Sequence, residues 1–415
     1  MLRDGCVASE GFVVLGHPRT RTPRSPQVTT AVDSLFSLLH ETPDDASLPV
    51  RSEVVAHTRA AYAALYETPQ ALPASVLHGL ATLVARQQGS EALAEHHARL
   101  ADRALLADEL PADPKLRTIV EHVELITVSP ALVEREDQLT LQLAGVTADE
   151  IVLISQVVAY ESYLLRAAHG LELLAGQDPA RYEGSNRLTV AHGRTPAVQS
   201  HTARGSEIPA HFTRDELAWE PWVPAVPEAE LTAEQVESFA AKATTNSEYF
   251  RLLARTPAVL RARSALDNAV FLGRDGLPRG ERELAAAVTS KVNDCIYCAS
   301  VHARKAEFQT KRADDIDRLL AIELERDADW VAADTDALAD GQDERWEAIV
   351  RFAARLSELR PSATTADIEA LRGVGLDAAE IADAVFATAF FAWANRLMLS
   401  LGEPAIPGTE PGARA

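Results

Sequence analysis

Residues 285–306 read AAAVTSKVNDCIYCASVHARKA, and residues 80–101 read LATLVARQQGSEALAEHHARLA. The two stretches align without a gap at an offset of 205, which sets His97-Ala98-Arg99 on His302-Ala303-Arg304. A second pair of blocks aligns at an offset of 230, Gly145-Val146-Thr147-Ala148-Asp149-Glu150-Ile151 on Gly375-Leu376-Asp377-Ala378-Ala379-Glu380-Ile381. Each of these copies opens a helix with a capping box. Thr147 or Asp377 accepts a bond from a first-turn N–H, and Glu150 or Glu380, three residues on, returns one. Two blocks in the same order with matching caps point to a duplicated unit. The offsets differ by 25 residues, so the second half carries an insertion, expected at the acidic stretch 327–343.

Outward from these blocks the chain reads as helix. It is rich in Ala, Leu, Arg and Glu, all strong helix formers. Ile349, Phe352, Leu356 and Leu359 recur on one face of a helix over about 343–359, and Pro361 stops it. Ile316, Leu319, Leu320 and Leu324 mark another, and no stretch alternates as a strand does. The fold class is therefore all-α, with two tandem helical domains. At about 150 residues per domain, 415 residues suit two or three. The boundaries read as a flexible arm at 1–44, a first domain at 45–190, a linker at 191–235, a second domain at 236–405 and a tail at 406–415. The linker holds Pro196, Pro209, Pro221, Pro224 and Pro227. Its Phe212, Trp219 and Trp222 are too apolar for a free tether, so its later part is expected to lie across a domain as a strap.

The formal net charge of −21 repels phosphate backbones and anionic bilayers, so neither nucleic acid nor membrane is expected as a partner. Three cysteines in a chain of this length rule out a disulfide scaffold. Residues 1–26 lack the apolar core of a signal peptide. The most apolar run, 384–394, is far short of the roughly 20 residues of a bilayer span and reads as a buried core helix. A cytoplasmic protein is expected. With neither a G-x-G-x-x-G nor a P-loop, no nucleotide cofactor is expected, and electrons for any redox reaction must come from a thiol or another protein.

One constellation carries chemistry. Cys295-Ile296-Tyr297-Cys298 is a C-x-x-C, which in such a chain suggests a redox pair or half a zinc site. Structural zinc takes four ligands, and the one remaining cysteine, Cys6, lies in the arm, so no metal is expected. Asn293 and Asp294 are good caps, which would place Cys295 in the first turn of a helix running to about Ala306. Cys298 is then i+3 and His302 i+7, on one face. Helix-start N–H groups favour a thiolate, and His302 can take a thiol proton. Glu283, twelve residues before Cys295, would face His302 if the two helices pack as a hairpin. The set comprises a nucleophile, a resolving thiol, a base and an orienting acid. The His96-His97 pair has no metal-binding spacing and reads as ordinary helix residues.

The pattern E-x11-C-x2-C-x3-H over Glu283, Cys295, Cys298 and His302 resembles the AhpD-like alkylhydroperoxidase branch of the carboxymuconolactone decarboxylase superfamily. Ser290-Lys291-Val292-Asn293-Asp294-Cys295-Ile296-Tyr297-Cys298 looks especially like its peroxidase-related members. The resemblance covers about 236–404, including Ala392-Trp393-Ala394-Asn395-Arg396, and extends weakly through the repeat to about 48–176. It implies an all-α fold assembled into a homo-oligomer of three or six units. It also implies hydroperoxide reduction by the cysteine pair, with a dithiol or thiol-protein reductant as partner. By this resemblance Cys298 attacks the peroxide, Cys295 resolves, His302 relays a proton and Glu283 supports it. Tyr297 stands where some members have a histidine. In the first half, Ser90, Leu93 and His78 stand at the places of Cys295, Cys298 and Glu283, and only His97 matches, so that half is expected to be structural.

The leading expectation is a thiol peroxidase. A non-enzymatic thiol–disulfide sensor or adaptor would use the same cysteines without turnover. A lactone decarboxylase is less favoured, because that branch uses no cysteine pair.

Overall fold

The structure, a computed structural model, describes residues 37–39, 49–107, 109–184 and 190–411. The expected N-terminal arm therefore lies outside the described residues apart from 37–39, and so does Cys6. The described chain is helical, and its one small sheet has two strands.

The first half runs α1 Ser52–Tyr62, α2 Ala74–Gln87, α3 Glu91–Ala98, α4 Pro114–Val128, α5 Arg135–Leu143 and α6 Ala148–Leu174. After the linker come β1 Ala218–Pro221, α7 Ala233–Ser238, α8 Glu248–Leu253, α9 Pro257–Phe271, α10 Arg279–Val292, α11 Ile296–Thr310 and α12 Ala313–Ala321. The second half closes with α13 Glu344–Ser357, α14 Thr365–Gly373, α15 Ala378–Leu401 and β2 Gly402–Ala405. Helices α9, α10 and α11 begin 205 residues after α1, α2 and α3, and α13, α14 and α15 begin 230 after α4, α5 and α6. The caps repeat as well. Asp113 and Asp343 accept from Leu116 N and Trp346 N at 2.8 and 2.9 Å. Both capping boxes read from the sequence, at Thr147/Glu150 and Asp377/Glu380, are formed.

The extra residues of the second half fall earlier than expected. Helix α11 outruns α3, and α12 has no counterpart between α3 and α4. The acidic stretch 327–343 ends on Asp343, which is the repeated cap of Asp113, so part of it belongs to the shared frame.

Helices α6 and α15 form the centre, almost wholly buried, and run past each other in opposite directions. Trp393 Nε1 donates to Gln156 Oε1 at 2.9 Å, and the Tyr163 and Phe386 rings meet at 6.3 Å. At Gly170 the backbones close in, because a Cβ there would lie 2.4 Å from Val385 Cγ1. By length and apolarity alone both helices could cross a membrane, yet 100% and 94% of their apolar windows are buried in the fold. Two buried arginines bind the halves reciprocally. Arg166 donates to Ser357 O at 3.1 Å, and Arg396 donates to Thr127 O at 3.0 Å, each pair displaced from the other by 230 residues.

The sequence shows no strand pattern, yet Ala218–Pro221 pairs antiparallel with Gly402–Ala405. Strands of four residues, one ending in Pro221 and the other holding Pro404, are too short to show alternation. In the same segment, Trp219 Nε1 donates to Met398 O at 3.0 Å and the Phe212 ring lies 4.0 Å from Lys291 Nζ.

Candidate active site

Helices α10 and α11 pack as a hairpin, and the turn between them sets the site. Asn293 is the C-cap of α10, and Asp294 takes the left-handed conformation at φ 61°. Cys295 is therefore itself the N-cap of α11, with Cys298 in the third helical position. Sequence reasoning put the caps one or two residues too early, because Asn293 and Asp294 end one helix rather than begin the next. Three side chains brace the turn. Arg326 donates to Val292 O and Lys291 O at 3.0 and 3.2 Å, closing the carbonyl end of α10. Trp330 Nε1 donates to Asp294 Oδ2 at 3.0 Å. Asn293 Nδ2 donates to Asn395 Oδ1 at 3.1 Å, which ties the turn to α15.

The hairpin brings Glu283 and His302 together, with His302 Nδ1 2.6 Å from Glu283 Oε2. Glu283 has no exposed surface, and its Oε1 accepts from Arg279 Nε at 3.2 Å. Burial raises the Glu283 carboxyl, but the His302 bond and charge, Lys305 and the Arg279 bond outweigh it and hold it below the usual carboxylate range. Burial holds His302 below the ordinary imidazole range, against the pull of Glu283. The pair that follows is an ionised Glu283 and a neutral His302 whose Nδ1–H donates to it, leaving Nε2 as a proton acceptor. The imidazole lies between Phe391 and Phe271, with ring centroids at 4.1 and 5.8 Å.

Cys295 and Cys298 are both free thiols and both buried. Burial, followed by the hydrogen bond and charge of Cys298, pushes the Cys295 thiol well above its ordinary range. Cys298 and His302 are one turn apart on α11. A cleft of about 520 Å³ opens beside the turn, lined by Cys295, Tyr297, Trp219, Trp222 and Met398. Glu283, Cys298 and His302 do not line it, so the two thiols differ in surroundings: Cys295 borders the cleft and Cys298 does not.

Of the four residues singled out in the sequence, the structure joins Glu283 to His302 and sets Cys295 and Cys298 at the start of the same helix, but the surroundings were not read from the sequence. Arg279 was legible as an i,i+4 partner of Glu283. Phe271, Phe391 and Asp267 were not, because they reach the site from other helices. Burial, moderated by Arg263, His302 and Lys305, raises the Asp267 carboxyl.

The first half repeats this geometry with other side chains. Ser90 is the N-cap of α3, as Cys295 is of α11, and Gly89 takes the left-handed place of Asp294 at φ 81°. His78 Nδ1 lies 2.8 Å from His97 Nδ1, where Glu283 meets His302 in the second half. His97 Nε2 reaches Glu161 Oε2 at 3.1 Å, and Tyr66 donates its hydroxyl to Glu161 Oε1. His97 is thus a fully buried member of a polar network, which corrects its reading as an ordinary helix residue.

Residues 257–342 match the model of the carboxymuconolactone decarboxylase family. Among solved structures, an alkylhydroperoxidase AhpD core, an uncharacterized peroxidase-related protein from Ralstonia eutropha JMP134, is 24% identical. That match covers 46% of this chain and 95% of that one, with a TM-score of 0.35. No curated protein matches. The part of the chain that carries Glu283, Cys295, Cys298 and His302 belongs to the carboxymuconolactone decarboxylase superfamily.

Proposed function

We propose that this protein is a thiol-dependent peroxidase that reduces hydrogen peroxide or organic hydroperoxides through Cys298 and Cys295. The observation that carries this reading is the placement of both thiols at the start of α11, with a buried Glu283–His302 pair one turn on. Backbone N–H groups at that helix start stabilise negative charge on Cys298. His302 Nε2 takes the Cys298 proton, and Glu283 holds the resulting imidazolium. The thiolate attacks the distal peroxide oxygen, so an S–O bond forms, the O–O bond breaks and the alcohol leaves with the proton from His302. Cys295, kept as a thiol by burial, then attacks the Cys298 sulfenic acid. An S–S bond forms and water leaves with the Cys295 proton. The disulfide returns to two thiols by exchange with a dithiol or thiol-protein reductant, which the cleft at Cys295 would admit.

A thiol–disulfide adaptor would form the same disulfide without turnover. Steady-state hydroperoxide consumption with several dithiols, together with mass spectrometry after limiting hydroperoxide, separates the two. The peroxidase reading requires turnover and a Cys295–Cys298 pair that loses two hydrogens. Disulfide formation without turnover would refute it.

A further inference from the structure

The first half keeps a hollow where the second half has its cysteine cleft. It measures about 230 Å³ and is lined by Ser90 and Leu93, the counterparts of the two cysteines. His169 and Glu172 also line it, at the places of Leu399 and Gly402 beside the other cleft. Glu172 stands out. It is 3% exposed, and its Oε2 has no hydrogen-bond partner among the described residues. A buried carboxylate without a partner costs several kcal/mol, and here a glycine stands at the matching place in the other half. Burial pushes the Glu172 carboxyl up to about 7.

The rim carries the opposite charge. Arg181 and Arg360 line the hollow and donate to the carbonyls of Pro361 and Gln87 at 3.5 and 3.3 Å. Neither is paired with a carboxylate among the described residues, in a chain with 61 acidic residues. Glu183 shares the rim and disfavours a ligand with more than one net negative charge. The volume decides the ligand's size. At about 30 Å³ per water in the liquid, the hollow holds the equivalent of seven or eight waters, so it takes a molecule of that many heavy atoms, below drug size.

We propose that this hollow is a binding site for a small amino acid-type zwitterion, with its ammonium on Glu172 and its carboxylate on Arg181 and Arg360. The site is independent of the thiol chemistry, because its wall has Ser90 and Leu93 where the cysteines would stand. Ligand binding would offset the unpartnered charge of Glu172 and lower its proton affinity, so uptake of an ammonium releases a proton near pH 7.

The test is isothermal titration of the full chain at pH 7. The zwitterionic probes are glycine, β-alanine and 4-aminobutyrate, and the single-ended controls are propylamine and propionate. At least one zwitterion should bind at least tenfold more tightly than either control, with a heat that depends on the ionisation enthalpy of the buffer. Glu172→Gln and Arg360→Ala should each weaken it about tenfold or more, while Cys298→Ser should leave it unchanged. Absence of zwitterion binding below about 10 mM would overturn the proposal, as would binding indifferent to Glu172→Gln. Propylamine binding as tightly as the zwitterions would overturn the role of the arginines.

Discussion

Replacing Glu283 with Gln removes one charge and almost no volume from a site with no exposed surface. Two N–H donors converge on this carboxylate, His302 Nδ1 at 2.6 Å and Arg279 Nε at 3.2 Å. A glutamine has one acceptor and one donor end, so one of the two N–H groups must face an NH2 group. Arg279 is 40% exposed and can swing to water, which would leave His302 on the remaining carbonyl. If His302 instead changes tautomer, Nε2 carries the proton and can no longer accept one from Cys298. In either case the imidazolium formed when Cys298 ionises loses its counter-charge. At about 4 Å between charge centres and an effective dielectric constant of about 20, that attraction is worth about 4 kcal/mol at most. A charge-assisted hydrogen bond is worth about 1.5–3 kcal/mol. About 3 kcal/mol corresponds to about 10²-fold in rate. The expected outcome is a single-turnover rate of Cys298 oxidation by tert-butyl hydroperoxide lowered about 10²-fold or more, with a melting temperature close to that of the parent. His302→Ala should lose as much. A Glu283→Gln rate within threefold of the parent would refute the proton relay and leave the pair as a packing feature.

In Cys298→Ser, Cys295 should alkylate slowly at neutral pH, because burial holds its thiol up. Burial also pushes His78, His122 and His169 down to about 4 from an unfolded value near 6.5. The unfolded chain therefore binds protons that the fold refuses, so stability present above pH 6.5 is lost as pH falls towards 4, by about 2 kcal/mol per histidine at pH 5. Urea unfolding at pH 7 and pH 5 measures this, and His122→Gln should remove about a third of the difference. Gly170→Ala places a Cβ against Val385, so it should destabilise by about 1–3 kcal/mol in spite of better helix propensity, and Val385→Ala should restore part of the loss. A neutral Gly170→Ala would mean that α6 and α15 can move apart.

The residues that the sequence by itself determined are those whose signals are local. Glu283, Cys295, Cys298 and His302 are separated by whole helical turns and one hairpin, so spacing alone brings them to one place. The helix starts at Thr147 and Asp377 were legible because a cap and its partner lie three residues from each other, whereas the cap at Asp343 was seen only in the structure. The two offsets were legible for the same reason, and the helices begin in that register. The tertiary structure decided what depends on distant segments meeting. Cys295 became the cap because Asp294 turns left-handed, held by Trp330 and Arg326 from the segment after α12. Phe271 and Phe391 bracket His302 from two other helices, and burial, which no local pattern measures, holds its imidazole below the ordinary range. His97 looked ordinary because its partners lie at His78 and Glu161, the latter 64 residues away. Glu172 reads as one more acidic residue on an apolar helix. Only the tertiary packing around α6 buries it and leaves its Oε2 without a hydrogen-bond partner among the described residues.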